Sequence, residues 1–167
     1  MSRLFLFAFF AIIIFSSCEI SVKTGPGSEE PASKIRNGIV VNSNGVKVEQ
    51  AFLLFEDGSL VPHDNKIKVG QKVQLRLIVS GWKEKDGKVF LDASEKAETS
   101  EGDVFLDEKD LFRQYENGLD PADAGYITLS VAITGISKLY DHFKVSFRVA
   151  DKTDENNFAE GYYKLYL

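Results

Sequence analysis

Two runs, at 127–134 and 143–149, place an apolar side chain at every second position. Ile127, Leu129, Val131 and Ile133 alternate with Thr128, Ser130, Ala132 and Thr134; Phe143, Val145, Phe147 and Val149 alternate with Lys144, Ser146 and Arg148. Successive side chains of a strand point to opposite faces, so this spacing builds strands with one side in a core and the other in water. A buried parallel sheet would give unbroken apolar runs instead. The pattern confines the chain to antiparallel sheets that each pack on one side.

The same period recurs upstream, where Val73, Leu75, Leu77 and Val79 alternate with Gln74, Arg76 and Ile78. Shorter strand candidates lie at 39–41, 46–48, 51–55, 89–91 and 104–106. A last one, 162–167, carries aromatics on both faces and needs pairing on a sheet to be ordered. Asn42-Ser43-Asn44-Gly45 reads as a hairpin turn joining 39–41 to 46–48. Asp57-Gly58, Asp86-Gly87 and Glu101-Gly102 supply further turns. Asp151 to Asn157 reads as a hairpin loop. Residues 107–115 begin with acids and run towards Asn117-Gly118, so they read as a turn or two of helix. About eight strands with turns between them predict an all-β fold: an antiparallel, immunoglobulin-like β-sandwich over residues 37–167 with one short helical turn. A small β-barrel is the alternative, because it produces the same alternation.

Ahead of that domain the composition changes twice. Arg3 precedes an unbroken run of Leu, Phe, Ala and Ile from Leu4 to Phe15, followed by Ser16, Ser17 and Cys18, the single cysteine of the chain. The run is short of the roughly 20 apolar residues that a spanning helix needs, and it has the length of a secretory signal core. This arrangement resembles the bacterial lipoprotein signal, whose box is an aliphatic residue, two small residues and a cysteine; Phe15 stands where Leu is usual. The Phe-rich core is similar to those of Bacteroidota lipoproteins. The resemblance covers residues 1–18. It implies a signal peptide of residues 1–17, cleaved before Cys18. A diacylglycerol thioether would sit on Cys18 and a further acyl chain, such as palmitate, on the new amino terminus. It thereby implies a membrane partner through the lipid anchor and a cell-envelope location, at the outer membrane. More than one acyl chain is what stable anchoring requires. Residues 18–36, rich in Gly, Pro, Ser and charge, read as a flexible tether.

The 167-residue chain has a formal net charge of −5, one unit more negative once Arg3 is removed. That excludes nucleic acid as a partner, since such binding needs a basic footprint. With one cysteine no disulfide forms within the chain, so stability rests on a packed core.

No complete catalytic set is visible. His63 and His142 are the two histidines; no Gly-x-Ser-x-Gly occurs, and two histidines without a free cysteine are too few for a zinc site. Asp103, Asp107, Glu108 and Asp110 form an acidic run that a carboxylate-dependent hydrolase would need to aim into one cleft. Asp120-Pro121-Ala122-Asp123 and residues 151–157 gather oxygen ligands at strand ends. Calcium is the one metal such loops suit, with Asp151, Asp154 and Asn156 as ligands, although Lys152 opposes a cation there. Otherwise no cofactor is expected. Trp82, Tyr162 and Tyr166 are the candidate ligand-binding aromatics, placed to stack on a sugar or anchor a partner. The sequence therefore predicts a non-catalytic binding or accessory module for a protein or glycan partner. A carrier of a lipid or small apolar ligand is the alternative, with apolar runs such as 51–55 lining its cavity. A hydrolase is a further one.

Overall fold

The computed structural model describes residues 34–167. The expectations for the signal, for Cys18 and for the tether up to residue 33 concern residues outside that range. Within it eight strands follow one another: β1 (Val40–Asn44), β2 (Lys47–Phe55), β3 (Lys72–Ser80), β4 (Leu91–Thr99), β5 (Val104–Glu108), β6 (Tyr126–Ala132), β7 (Phe143–Asp151) and β8 (Asp154–Leu165). All pairs are antiparallel. They form one sheet in the order β1-β8-β7-β4-β5 and a second in the order β2-β3-β6. The sheets stay separate, so the fold is a β-sandwich and not a barrel. With β1 set aside, β2-β3-β6 against β8-β7-β4-β5 matches strands A-B-E against G-F-C-C′ of an immunoglobulin-like sandwich.

The alternating runs set the core. Val73, Leu75 and Leu77 of β3, Ile127 and Leu129 of β6, and Phe143, Val145 and Val149 of β7 are buried against Ala51 and Leu53 of β2 and against Tyr163 and Leu165 of β8. Each fully buried aliphatic side chain of this kind contributes about 1.5–3 kcal/mol. The residues between them, such as Lys144, Ser146 and Arg148, face outward.

Four local expectations are corrected. Asn42-Ser43-Asn44 is no turn: these residues are the body of β1, paired with Glu160, Ala159 and Phe158 of β8, while β2 pairs with β3. The open edge of the long β8 takes up the backbone groups that a hairpin would have used. The chain changes sheets at Gly45, whose φ is +72° and where a Cβ would stand 2.5 Å from Asn157 Oδ1. Secondly, the strand expected at 89–91 meets β4 only at Leu91: Val89 makes an isolated bridge to Leu119, and β4 runs on to Thr99 with Ala93, Glu95, Ala97 and Thr99 inward after Leu91. Thirdly, Asp107 and Glu108 belong to β5, paired with Lys96 and Glu95. Asp110 then takes a φ of 52°, which breaks a helical path. Among the described residues helical turns form at Arg113–Tyr115 (3-10) and Pro121–Ala124 (α1). Lastly, the β7–β8 hairpin closes through Lys152-Thr153 alone, and Asn156 and Asn157 lie within β8.

Candidate functional site

β8 is paired on both sides, so its alternation is fixed by the sheet. Tyr163 and Leu165 point inward and are fully buried. Tyr162 and Lys164 therefore point to the outer face of the five-stranded sheet. Beyond the strand, Tyr166 is held by backbone bonds: its N–H donates to Asn65 O (3.0 Å) and its carbonyl accepts from Ile67 N (2.8 Å). Tyr162, Lys164 and Tyr166 line a groove of about 490 Å³ together with Val40, His63 and Asp64.

The floor of that groove is a buried asparagine pair. Asn37 Nδ2 donates to Asn65 Oδ1 (2.9 Å) and to the carbonyls of Val61 and Pro62 (both 3.1 Å), while Asn37 Oδ1 accepts from Leu53 N (3.2 Å). Asn65 Nδ2 donates to the carbonyls of Asn37 and Lys164 (both 2.8 Å). Both residues have positive φ, 58° and 54°, a conformation that Asn tolerates better than most residues.

A second hollow of about 390 Å³ lies over the middle of the same face, lined by Ser94, Lys96, Asp107, Ser146 and Arg148. Tyr162 pairs in register with Ser146, so it stands between the two hollows. Most charges here are neutralised locally: Arg148 with Glu160 (2.5 Å), Lys96 with Glu98 (2.7 Å). The hydrogen bond between Lys96 and Glu98 raises the pKa of the lysine and lowers that of the glutamate. Lys144 instead sits over the Tyr162 ring, 4.9 Å from its centroid, a cation–π contact. Arg148 lies 4.2 Å over Phe158.

The other sequence candidates lie elsewhere. Trp82 is half-buried against the core and its Nε1 donates to Ala124 O (3.0 Å), tying the end of β3 to α1. Asp151 is buried. Its Oδ1 accepts from Thr153 N (2.7 Å) and Oγ1 (2.6 Å), which closes the hairpin turn. Asp154 pairs with Lys83, whose hydrogen bond holds the Asp154 carboxyl below its ordinary range. The Asn156 carbonyl accepts from Asn44 Nδ2 (2.5 Å). Among the described residues no three His, Cys, Asp or Glu side chains come together as a metal centre would need. Both histidines adjoin Tyr166: His63 in the groove, and His142 with ring centroids 6.2 Å apart. His142 Nδ1 is bonded to Asp141 (2.7 Å). In the acidic run, Asp107 sits opposite Lys96 and Asp110 pairs with Lys152 (3.5 Å).

Two features are not legible from pattern alone. Asn37-Gly38 is a turn dipeptide and both residues take positive φ, but nothing in that motif marks the Asn37 side chain as buried. The aromatic hollow of about 330 Å³ that Phe112, Tyr115 and Tyr126 line on the far side is assembled from segments that pattern alone does not bring together.

No protein-family model matches the chain, and no curated protein matches it. Among solved structures it is similar to the C-terminal domain of wzt, with 13% identity, 80% of each chain covered and a TM-score of 0.49. At that distance the likeness carries no argument about ligand or role.

Proposed function

We propose that this domain is a non-catalytic binding module for a glycan or protein partner and that it engages the partner through the outer face of its five-stranded sheet, around Tyr162 and Tyr166. One observation carries the reading. The sandwich fills its interior with aliphatic and aromatic side chains, yet β8 turns Tyr162, Lys164 and Tyr166 outward into an open groove. Tyrosine presents a broad apolar ring with a hydrogen-bonding tip, the residue type that binding surfaces favour. The inward position of Ala51 and Leu53, both fully buried, favours this over a carrier whose cavity they would line. Against a carboxylate-dependent hydrolase stands the placement of the acidic run: Asp107 lies opposite Lys96 on β4 and Asp110 pairs with Lys152.

The sequence of residues 1–18 adds the location. Lipidated at Cys18, the module would sit in the cell envelope at the outer membrane, with residues 18–36 setting its reach. Two comparisons test the reading. Pull-down with the full chain recovers a partner that Tyr162→Ala and Tyr166→Ala lose; recovery unchanged in both variants contradicts the site. Cys18→Ala moves from the membrane to the soluble fraction; unchanged fractionation contradicts the anchor.

A further inference from the structure

Lys144 of β7 and Lys164 of β8 are register partners on the outer face. Directly opposed positions on antiparallel strands hold their Cβ atoms about 4.5–5.5 Å apart, and like charges placed there repel. Nearby basic groups on this face are ion-paired, but neither Lys144 nor Lys164 is ion-paired with any described residue. Glu98, the register partner of Lys144 on β4, is bonded to Lys96 (2.7 Å). Asp64, the one acid in the groove, accepts from Lys66 N (3.1 Å) and faces its ammonium at 4.0 Å. On a chain of net charge −5, this end of the sheet thus presents two ammonium groups without an ion pair: Lys164, and Lys144 held over the Tyr162 ring with Glu98 within reach of its charge.

We infer that the groove binds an acidic saccharide, with Lys164 of its lining and Lys144, beside it over the Tyr162 ring, receiving a sugar carboxylate and Tyr162 and Tyr166 supporting the rings. The inference rests on the binding face proposed above and names its ligand class. An anion between the lysines replaces their repulsion by two charge-assisted hydrogen bonds. The lining decides for a saccharide over an acidic peptide. Val40 is its one aliphatic side chain, so the groove has no apolar socket for a peptide side chain. It offers instead the polar side chains of His63 and Asp64 to hydroxyls. Asp64 suits a neutral hydroxyl and opposes a second carboxylate close by, so the spacing of charge along the ligand matters.

The test is binding of the full chain, in detergent, to immobilised polygalacturonate and alginate, with dextran as the neutral control and poly-glutamate as the acidic peptide. The expected result is binding to one or both acidic polysaccharides that weakens with added salt. It falls about tenfold or more in Lys144→Gln/Lys164→Gln, a loss on the scale of one or two charge-assisted bonds. Equal binding to dextran, tighter binding to poly-glutamate, no binding to either acidic polysaccharide, or an unchanged affinity in the lysine variant each overturns the inference. The binding face stands or falls separately. If the lysine variant still captures the cellular partner and Tyr162→Ala does not, the face is right and its acidic ligand is wrong.

Discussion

Asn37 and Asn65 hold each other reciprocally: Asn37 Nδ2 donates to Asn65 Oδ1 at 2.9 Å, and Asn65 Nδ2 donates back to the Asn37 carbonyl at 2.8 Å. The pair joins four separate stretches: the entry to β1, β2 through Leu53 N, the segment between β2 and β3, and the end of β8 through Lys164 O. A buried polar network is worth most when every member is satisfied, and losing one side strands the other. Asn65→Ala leaves Asn37 Nδ2 without its side-chain partner, frees two buried carbonyls and places Ala at positive φ. The expected cost is about 2–3 kcal/mol, seen as a lower urea midpoint with an unchanged slope. A midpoint equal to that of the parent contradicts the network's role.

Glu95 is buried on the inner face of β4, where Tyr163 OH donates to its Oε1 at 3.3 Å. Burial pushes its pKa from 4.5 up to about 7, and the Tyr163 hydrogen bond only partly opposes this. The folded state thus holds this proton over a range where the unfolded chain has released it. Stability from Glu95 is full below pH 4.5 and is lost as pH rises through about 7, with a total of about 3 kcal/mol for a shift of this size. Glu95→Gln keeps the acceptor and removes the titration. It should be more stable than the parent at pH 8, and the gap should close towards pH 4.5. Parallel stability curves for the two proteins across that window contradict the assignment.

Gly161 of β8 faces inward beneath β1. A Cβ there would overlap the Val40 carbonyl oxygen and come within 3.0 Å of Phe147 Cζ. Gly161→Ala must push β1 outward, at a cost of about 1–3 kcal/mol. Hydrogen exchange reads this locally: the amides of β1 exchange faster while those of β3 and β6 hold. Uniform change across both sheets, or none, contradicts the close approach.

Trp82 separates packing from binding. Trp82→Phe keeps an aromatic ring and loses the bond to Ala124 O, for an expected loss of about 1 kcal/mol. Partner recovery should be unaffected at temperatures where the variant is folded. Lost recovery with an unchanged melt would make Trp82 a binding residue instead.

The strands that were legible in the sequence are those whose inner face is apolar. Val73 to Val79, Ile127 to Ile133 and Phe143 to Val149 announce β3, β6 and β7 because burial demands an apolar side chain at every second position. β4 is legible only at Leu91, because its other inner positions are Ala93, Glu95, Ala97 and Thr99. Small and polar residues there carry no period, although the sheets bury them as completely. The order of strands was hidden for another reason. Asn42 to Gly45 has turn composition, and only the long-range pairing of β1 with β8 overrides it. Tyr162 and Tyr166 stand out in the sequence as aromatics on a two-faced strand. The lysines beside them do not, because opposition of Lys144 and Lys164 depends on the β7–β8 register, which the sequence does not state.

The central claim is that the outer face of the five-stranded sheet, around Tyr162, is where a partner docks. A photo-cross-linking amino acid at position 162, and in a second protein at exposed Val69, tests it in living cells with the full chain. Cross-linked adducts from position 162 and not from position 69 are the predicted result. Adducts of equal yield from both positions, or from 69 alone, would contradict it.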